Sequence, residues 1–271
     1  MFADDTNVFC SDTDTNRLNR TVNRELLKVN NWLLVNKLSL NLQKTHYLMF
    51  TRKKIVPRIT IKMGEVEIQR EPFTKFLGVI VDDKLSWKEH IKYIGKKVCK
   101  SVGIINKIKH NINHSAKIIL YYSLVYPYFQ YCNVAWGTAF ATTVKPLTII
   151  QKRVIRIISS ATYYQHTQPL FKELKVLKLN DIHKLEVLKF VHNQINTLNP
   201  VIRYQQVSAT HDRQIRNRAN LRPDKPLSDI SKRFLAYNGC ILWNDLPANL
   251  KSSNNTTTFK INVKKHLLNL Y

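Results

Sequence analysis

The sequence is short of cysteine and of acid. Its four cysteines, Cys10, Cys99, Cys132 and Cys240, lie far apart and form no Cys-x-x-Cys pair. That argues against a zinc ribbon or knuckle and against a secreted disulfide scaffold; reduced, partly buried thiols are the plain expectation. Asp and Glu number 18 against 43 Lys and Arg, a formal charge of +25. Such a field attracts polyanions, with nucleic acid the first candidate and an anionic membrane surface the second. There is no internal repeat and no low-complexity tract. Nothing in the opening residues reads as a leader peptide, since two aspartates stand within the first five positions. Charge is missing from Ile118 to Trp136, a length that normally flags a spanning helix. Ser123, Pro127, Gln130, Asn133 and several tyrosines interrupt that run, so a buried helix pair is the better expectation.

What is present suffices for a folded protein. The chain has 271 residues, 44% of them hydrophobic and 10% aromatic, enough for one large domain or two modest ones. Residues 1–9 pattern as a hairpin with acids at its turn, Phe2, Ala3, Val8 and Phe9 flanking the tip. The chain thus opens in mid-hairpin and reads as a fragment. Asp14 or Thr15 is a candidate cap for a helix in which Leu18, Val22, Leu26, Val29 and Leu33 recur at helical spacing, ending by Asn36–Leu38. Tyr47–Phe50 patterns as a short strand. Ile59–Ile61 and Val66–Ile68 pattern as a hairpin around Gly64. Phe76–Val81 patterns as an apolar strand ended by Asp82 and Asp83.

From Trp87 onward the pattern is helical. Trp87, Ile91, Ile94, Val98, Val102, Ile105 and Ile108 make one stripe; Lys88, Lys92, Lys96 and Lys100 make another. Like charges four apart destabilise an isolated helix, and a bound polyanion relieves that repulsion; a merely solvated face is the alternative. Further helices are expected near 115–135, 143–159, 180–197 and 259–270. Between 203 and 235 a run of arginines and lysines broken by Pro223 and Pro226 suggests a basic loop.

Adjacent carboxylates at Asp4 and Asp5 repel each other, and a hard divalent cation offsets that repulsion. Alone, such a pair is more often a solvated turn. The order of motifs changes the weighting. Phe2-Ala3-Asp4-Asp5 resembles the [YF]-A-D-D motif of reverse transcriptases. Leu38-Ser39-Leu40-Asn41 with Lys44-Thr45 resembles the next palm motif of the LINE group. Phe76-Leu77-Gly78-Val79, Asp82, Trp87 and His90-Ile91 resemble the primer-grip strand and the start of the thumb. Tyr121–Pro127, Tyr131-Cys132, Ala135-Trp136-Gly137, Gln151-Lys152-Arg153 with Arg156, and Trp243-Asn244-Asp245-Leu246-Pro247 continue the series in order. The chain therefore resembles the C-terminal part of a non-LTR, jockey-like retrotransposon reverse transcriptase along essentially its whole length.

That resemblance implies an α+β architecture: a partial antiparallel palm over residues 1–83, a helical thumb-like region over 84–200 and a basic C-terminal extension over 201–271. It implies that Asp4 and Asp5 are the catalytic, metal-binding pair, with Mg²⁺ or Mn²⁺ serving two-metal nucleotidyl transfer. Lys44 would protonate or neutralise the leaving pyrophosphate, although an exposed loop lysine is the plainer alternative. Phe76, Leu77 and Gly78 would grip the primer end; they also read as a buried core strand, and both can hold. Lys88, Lys92, Lys96, Lys100, Lys152, Arg153 and Arg156 would contact nucleic acid. The implied partners are an RNA template, a DNA primer and dNTP, with no membrane role. Location would be nuclear or cytoplasmic, not secreted. The family also needs a carboxylate from an earlier strand, so the chain by itself is expected not to polymerise. A non-catalytic nucleic-acid-binding remnant and the product of a decayed element remain the alternatives.

Overall fold

The computed structural model describes residues 6–51, 53, 55–209, 220–253 and 255–271. The chain divides into two compact units, Met1–Glu89 and His90–Tyr271. Both strand and helix are present, so the α+β expectation holds.

In the first unit, helix α1 (Thr15–Val35) starts where the sequence places it. The Asp14 carboxylate accepts the amides of Asn16 and Arg17, two of the donors a helix start leaves unpaired. Lys37, at a φ of 54°, turns the chain away after the Asn36 cap. Three strands follow, β1 (His46–Tyr47), β2 (Ile61–Met63) and β3 (Val66–Arg70), in the order β1-β3-β2. The β2–β3 hairpin forms around Gly64, whose φ of 60° a glycine adopts without steric cost. The β1–β3 pair is parallel, His46 opposite Gln69, which departs from the all-antiparallel expectation. A long connection separates β1 from β3, and such a connection permits the parallel sense. Leu18, Val22, Leu26 and Val29 of α1 cover a core of Met49, Ile59, Ile61, Met63 and Ile68. Asn23 completes the docking: its Nδ2 donates to the Thr60 carbonyl at 2.9 Å, and its Oδ1 accepts the Lys62 amide at 2.8 Å. One side chain thereby occupies backbone groups on the outer edge of β2.

Two further sequence expectations fail in this unit. Val8 and Phe9 form no strand and are exposed; the rest of that expected hairpin, residues 1–5, lies outside the described residues. Phe76–Val81 is not one strand. It runs from the end of β4 (Phe73–Phe76) through a Leu77-Gly78 turn into β5 (Val79–Asp82), the two strands forming a second hairpin with Phe76 opposite Val79. The apolar run hid the turn because its first turn residue is a leucine.

The second unit is helical: α2 (Lys88–Ile108, whose first two residues belong to the first unit), α3 (His114–Leu124), α4 (Tyr126–Gln130), α5 (Asn133–Trp136), α6 (Ala141–Ile158), α7 (Thr167–Glu173), α8 (Leu179–Ile195), α9 (Leu235–Asn244), α10 (Ala248–Lys251) and α11 (Thr256–Asn269). Helix α8 is the centre, packed by α4, α5, α6, α9 and α11. It buries residues on nearly every side, among them Ile182, Leu185, Val187, Leu188 and Val191, as a core helix does. The uncharged run 118–136 is three short helices broken at Val125 and at Cys132, whose φ is 49°. Among the described residues no helix is long and apolar enough to cross a membrane. The segment expected to be a basic loop carries a bridge between Gln206 and Leu221; Arg213, Arg216 and Arg218 lie outside the described residues.

Candidate nucleic-acid interface

Lys44 stands in a turn built by Asn41. The Asn41 carbonyl accepts the Lys44 amide at 3.1 Å and the Thr45 hydroxyl at 2.9 Å, leaving the Lys44 side chain exposed. His46 fastens this turn to the second hairpin. Its Nδ1 lies 3.0 Å from the Lys44 carbonyl and its Nε2 2.5 Å from Thr74 Oγ1 on β4. A carbonyl only accepts, so Nδ1 carries the proton, and in the neutral ring Nε2 accepts the Thr74 hydroxyl. The lysine turn and the β4–β5 hairpin are thus linked by one imidazole, a role that sequence reading missed.

At the tip of that hairpin Leu77 has a φ of 45° and Gly78 a φ of 84°. Two positive values define the type I′ loop that matches strand twist. Glycine suits its position; a leucine there costs about 1–2 kcal/mol. Phe76 and Leu77 are 37% and 39% exposed. The expected burial of these residues as a core strand is not observed. They form a strained apolar tip open to solvent.

Asp82 ends β5, as its place in the sequence suggested, and ties down the loop that leads to α2. Its Oδ1 accepts the Ser86 amide at 2.9 Å and the Lys84 amide at 3.2 Å; its Oδ2 accepts the Trp87 amide at 2.7 Å. The loop it gathers contains Leu85 and Trp87, both at positive φ. Asp83 pairs with Arg70. Both acids are therefore occupied in holding the hairpin and its exit loop.

Helix α2 separates its two stripes. Ile91, Ile94, Val98, Val102 and Ile105 are buried, whereas Lys88, Lys92, Lys96 and Lys100 are exposed. At 1.5 Å per residue these four cations span roughly 18 Å on one face. Lys97 adds a further exposed charge and lies 5.7 Å from the Tyr93 ring.

On α6, Lys152 and Arg153 are exposed and Arg156 is half-buried. Their neighbour Gln151 is fully buried and satisfied: its Nε2 donates to Tyr121 Oη at 3.0 Å and to the Leu177 carbonyl at 2.9 Å, and its Oε1 accepts the Leu179 amide at 2.9 Å. The signal was legible, since Gln151 is a polar residue in the apolar stripe of Leu147, Val154 and Ile158. Burial pushes the Tyr121 hydroxyl far above its ordinary pKa, which keeps it neutral. Residues in and beside the other ordered motifs are also structural. Asn133 donates to the Phe129 carbonyl at 2.7 Å and faces His183 Nδ1 at 2.9 Å. A Cβ on Gly137 would lie 2.3 Å from that same His183 nitrogen. Trp136 is buried, with its indole N–H donated to the Tyr131 carbonyl at 2.8 Å.

Asp4 and Asp5 lie outside the described residues. Among the described residues no group of three His, Cys, Asp or Glu side chains converges on one point, so no metal-dependent step is assigned to them.

Comparison with known proteins finds this chain similar to polymerases of mobile elements. The RNA-directed DNA polymerase of the mobile element jockey from Drosophila funebris is 25% identical over 226 residues, 82% of this chain and 24% of that protein. The chain resembles part of a jockey-type reverse transcriptase. A probable RNA-directed DNA polymerase from transposon X-element of Drosophila melanogaster is 25% identical over 148 residues, 53% of this chain and 16% of that protein. The jockey polymerase of Drosophila melanogaster is 30% identical over 111 residues, 40% of this chain and 12% of that protein. The chain thus spans no more than about a quarter of the jockey-type polymerases it matches. No family model and no solved structure matches it.

Proposed function

We propose that this chain is a piece of a mobile-element RNA-directed DNA polymerase that holds template and primer, with nucleotidyl transfer belonging to the longer enzyme. The observation that carries the reading is the exposed lysine row of α2 set against its buried apolar stripe. A solvated face needs no such alignment of like charges, whereas a phosphate backbone compensates it. In this reading residues 1–83 are a palm remnant, 84–200 a thumb and 201–271 a basic extension. The Lys44 turn and the Phe76–Gly78 tip face the leaving pyrophosphate and the primer end. Asp4 and Asp5 contribute two carboxylates to a Mg²⁺ or Mn²⁺ site that another strand of the full polymerase completes, and the ions would activate the attacking oxygen.

The test is retention of a primed RNA template together with primer extension in Mg²⁺. The chain is expected to bind with a steep salt dependence and to extend nothing. Replacing Lys88, Lys92, Lys96 and Lys100 with alanine should flatten the log K against log salt slope by about 3 to 4, near 0.9 per phosphate contact. An unchanged slope removes the lysine row from the interface. Extension that disappears in Asp4→Asn/Asp5→Asn would show that the chain completes the metal site by itself.

A further inference from the structure

Tyr163 and Tyr164 are 75% and 89% exposed, among the most exposed aromatic side chains described. They sit side by side on the loop between α6 and α7, with ring centroids 5.1 Å apart at 88°. Two adjacent aromatic rings in water are an unusual use of apolar surface, and here the loop beneath them is braced. Arg156 holds it from both ends: its carbonyl accepts the Ala161 amide at 2.9 Å, and its Nε donates to the Gln165 carbonyl at 2.9 Å. The Gln165 amide closes the turn on the Thr162 carbonyl at 3.2 Å, and Ser160 enters it at a φ of 52°. The rings are therefore presented by a fixed turn.

The charge along this stretch of chain is of one sign. No Asp or Glu occurs between Glu89 and Glu173, so the whole of α6 and this loop lack acid. Lys145, Lys152 and Arg153 are exposed on α6, and Lys152 stands one turn before Arg156 on the same side of the helix. A row of cations leading to a pair of open rings is the combination by which single strands are held: charge tracks the backbone while a ring takes the face of an unpaired base. A stacked duplex offers no such face except at its ends.

We infer that Tyr163 and Tyr164 form a stacking site for an unpaired base of single-stranded RNA or DNA, fed by Lys152 and Arg153 and positioned by Arg156. This rests on the nucleic-acid reading above and adds to it a substrate form, single-stranded, and a contact, the base face. It also changes the part given to Arg156, whose Nε is committed to the loop and acts through it.

The experiment uses the whole chain, a short single-stranded RNA carrying one 2-aminopurine, and a blunt RNA duplex of equal length, at low salt. Wild type should bind both and quench the 2-aminopurine. Tyr163→Ala/Tyr164→Ala should weaken single-strand binding about fivefold to a hundredfold, abolish the quench and leave the duplex within about twofold. Tyr163→Phe/Tyr164→Phe should keep affinity and quench, because a phenyl face stacks as a phenol does. Alanine variants that bind the single strand as wild type does, or lose both forms equally, overturn the inference, as does loss in the phenylalanine pair. Wild type that retains neither RNA instead overturns the nucleic-acid reading itself.

Discussion

Asn244 holds the backbone of Leu221 from both sides: its Oδ1 accepts the Leu221 amide at 2.8 Å and its Nδ2 donates to the Leu221 carbonyl at 2.8 Å. Leu221 is buried, so these backbone groups depend on that one amide. Asn244→Ala leaves both unpaired and is expected to cost about 2–4 kcal/mol, from about 1–3 kcal/mol per stranded group with partial relaxation. Asn244→Asp keeps the acceptor, loses the donor and should fall between. Urea midpoints of the three proteins rank them; equal midpoints would show that the clamp contributes nothing.

Asp82 offers a second test. Its carboxylate gathers three backbone amides, and hydrogen bonds to a charged acceptor contribute more than neutral ones. Asp82→Ala should destabilise by about 2–4 kcal/mol, and Asp82→Asn by less. Proteolysis near residues 84–87 should rise in step. A loop as resistant in Asp82→Ala as in wild type would contradict the assignment.

The hairpin tip separates stability from function. Leu77→Asn installs the Asn-Gly pair that type I′ loops favour. It should stabilise the protein by about 1 kcal/mol through relief of the positive φ. The proposed primer contact predicts that the same change weakens retention of primed template. Gain in urea midpoint with unchanged retention would leave Leu77 a strained residue without that role.

Stability should fall in mild acid. His90 is 2% exposed against Trp136 at 5.8 Å between ring centroids, and burial pushes its imidazole down to about 4. Burial lowers His183 as well. Between the ordinary value of 6.5 and about 4 the unfolded chain carries the His90 proton and the folded chain does not. Unfolding then takes up a proton, so stability rises with pH across that window and is lost on acidification through it. The loss is on the order of 3 kcal/mol for His90. His90→Phe should flatten the dependence of the urea midpoint on pH; a parallel curve would assign the sensitivity elsewhere.

Much of the architecture was legible because burial and spacing coincide. Asp14 was readable as a cap, and the stripe from Leu18 to Val29 as a half-buried packing face, because both signals are local. The same holds for the stripe of α2. What escaped was set by distant partners. Nothing near Phe76 announced a turn, since Leu77 is a poor residue for a positive φ and only the pairing of β4 with β5 holds it there. Cys132 likewise breaks the uncharged run by adopting a left-handed conformation that no local rule favours. Resemblance marked Gln151, Gly137 and Asn244 as belonging to a series, and the structure gives them mechanical reasons. The candidate site was legible in its cations, which need only exposure. The exposed tyrosines were not, because neither their solvent access nor the brace beneath them is written in periodicity.

Gln151 carries a consequence for the surface. A helix is free to roll about its axis until something indexes it, and apolar contacts alone tolerate small rotations. Three directed bonds from one amide remove that freedom for α6. Lys152 and Arg153 follow it in the chain, so they inherit their azimuth from it. An uncharged, wholly interior side chain thereby sets the compass bearing of the positive charge outside.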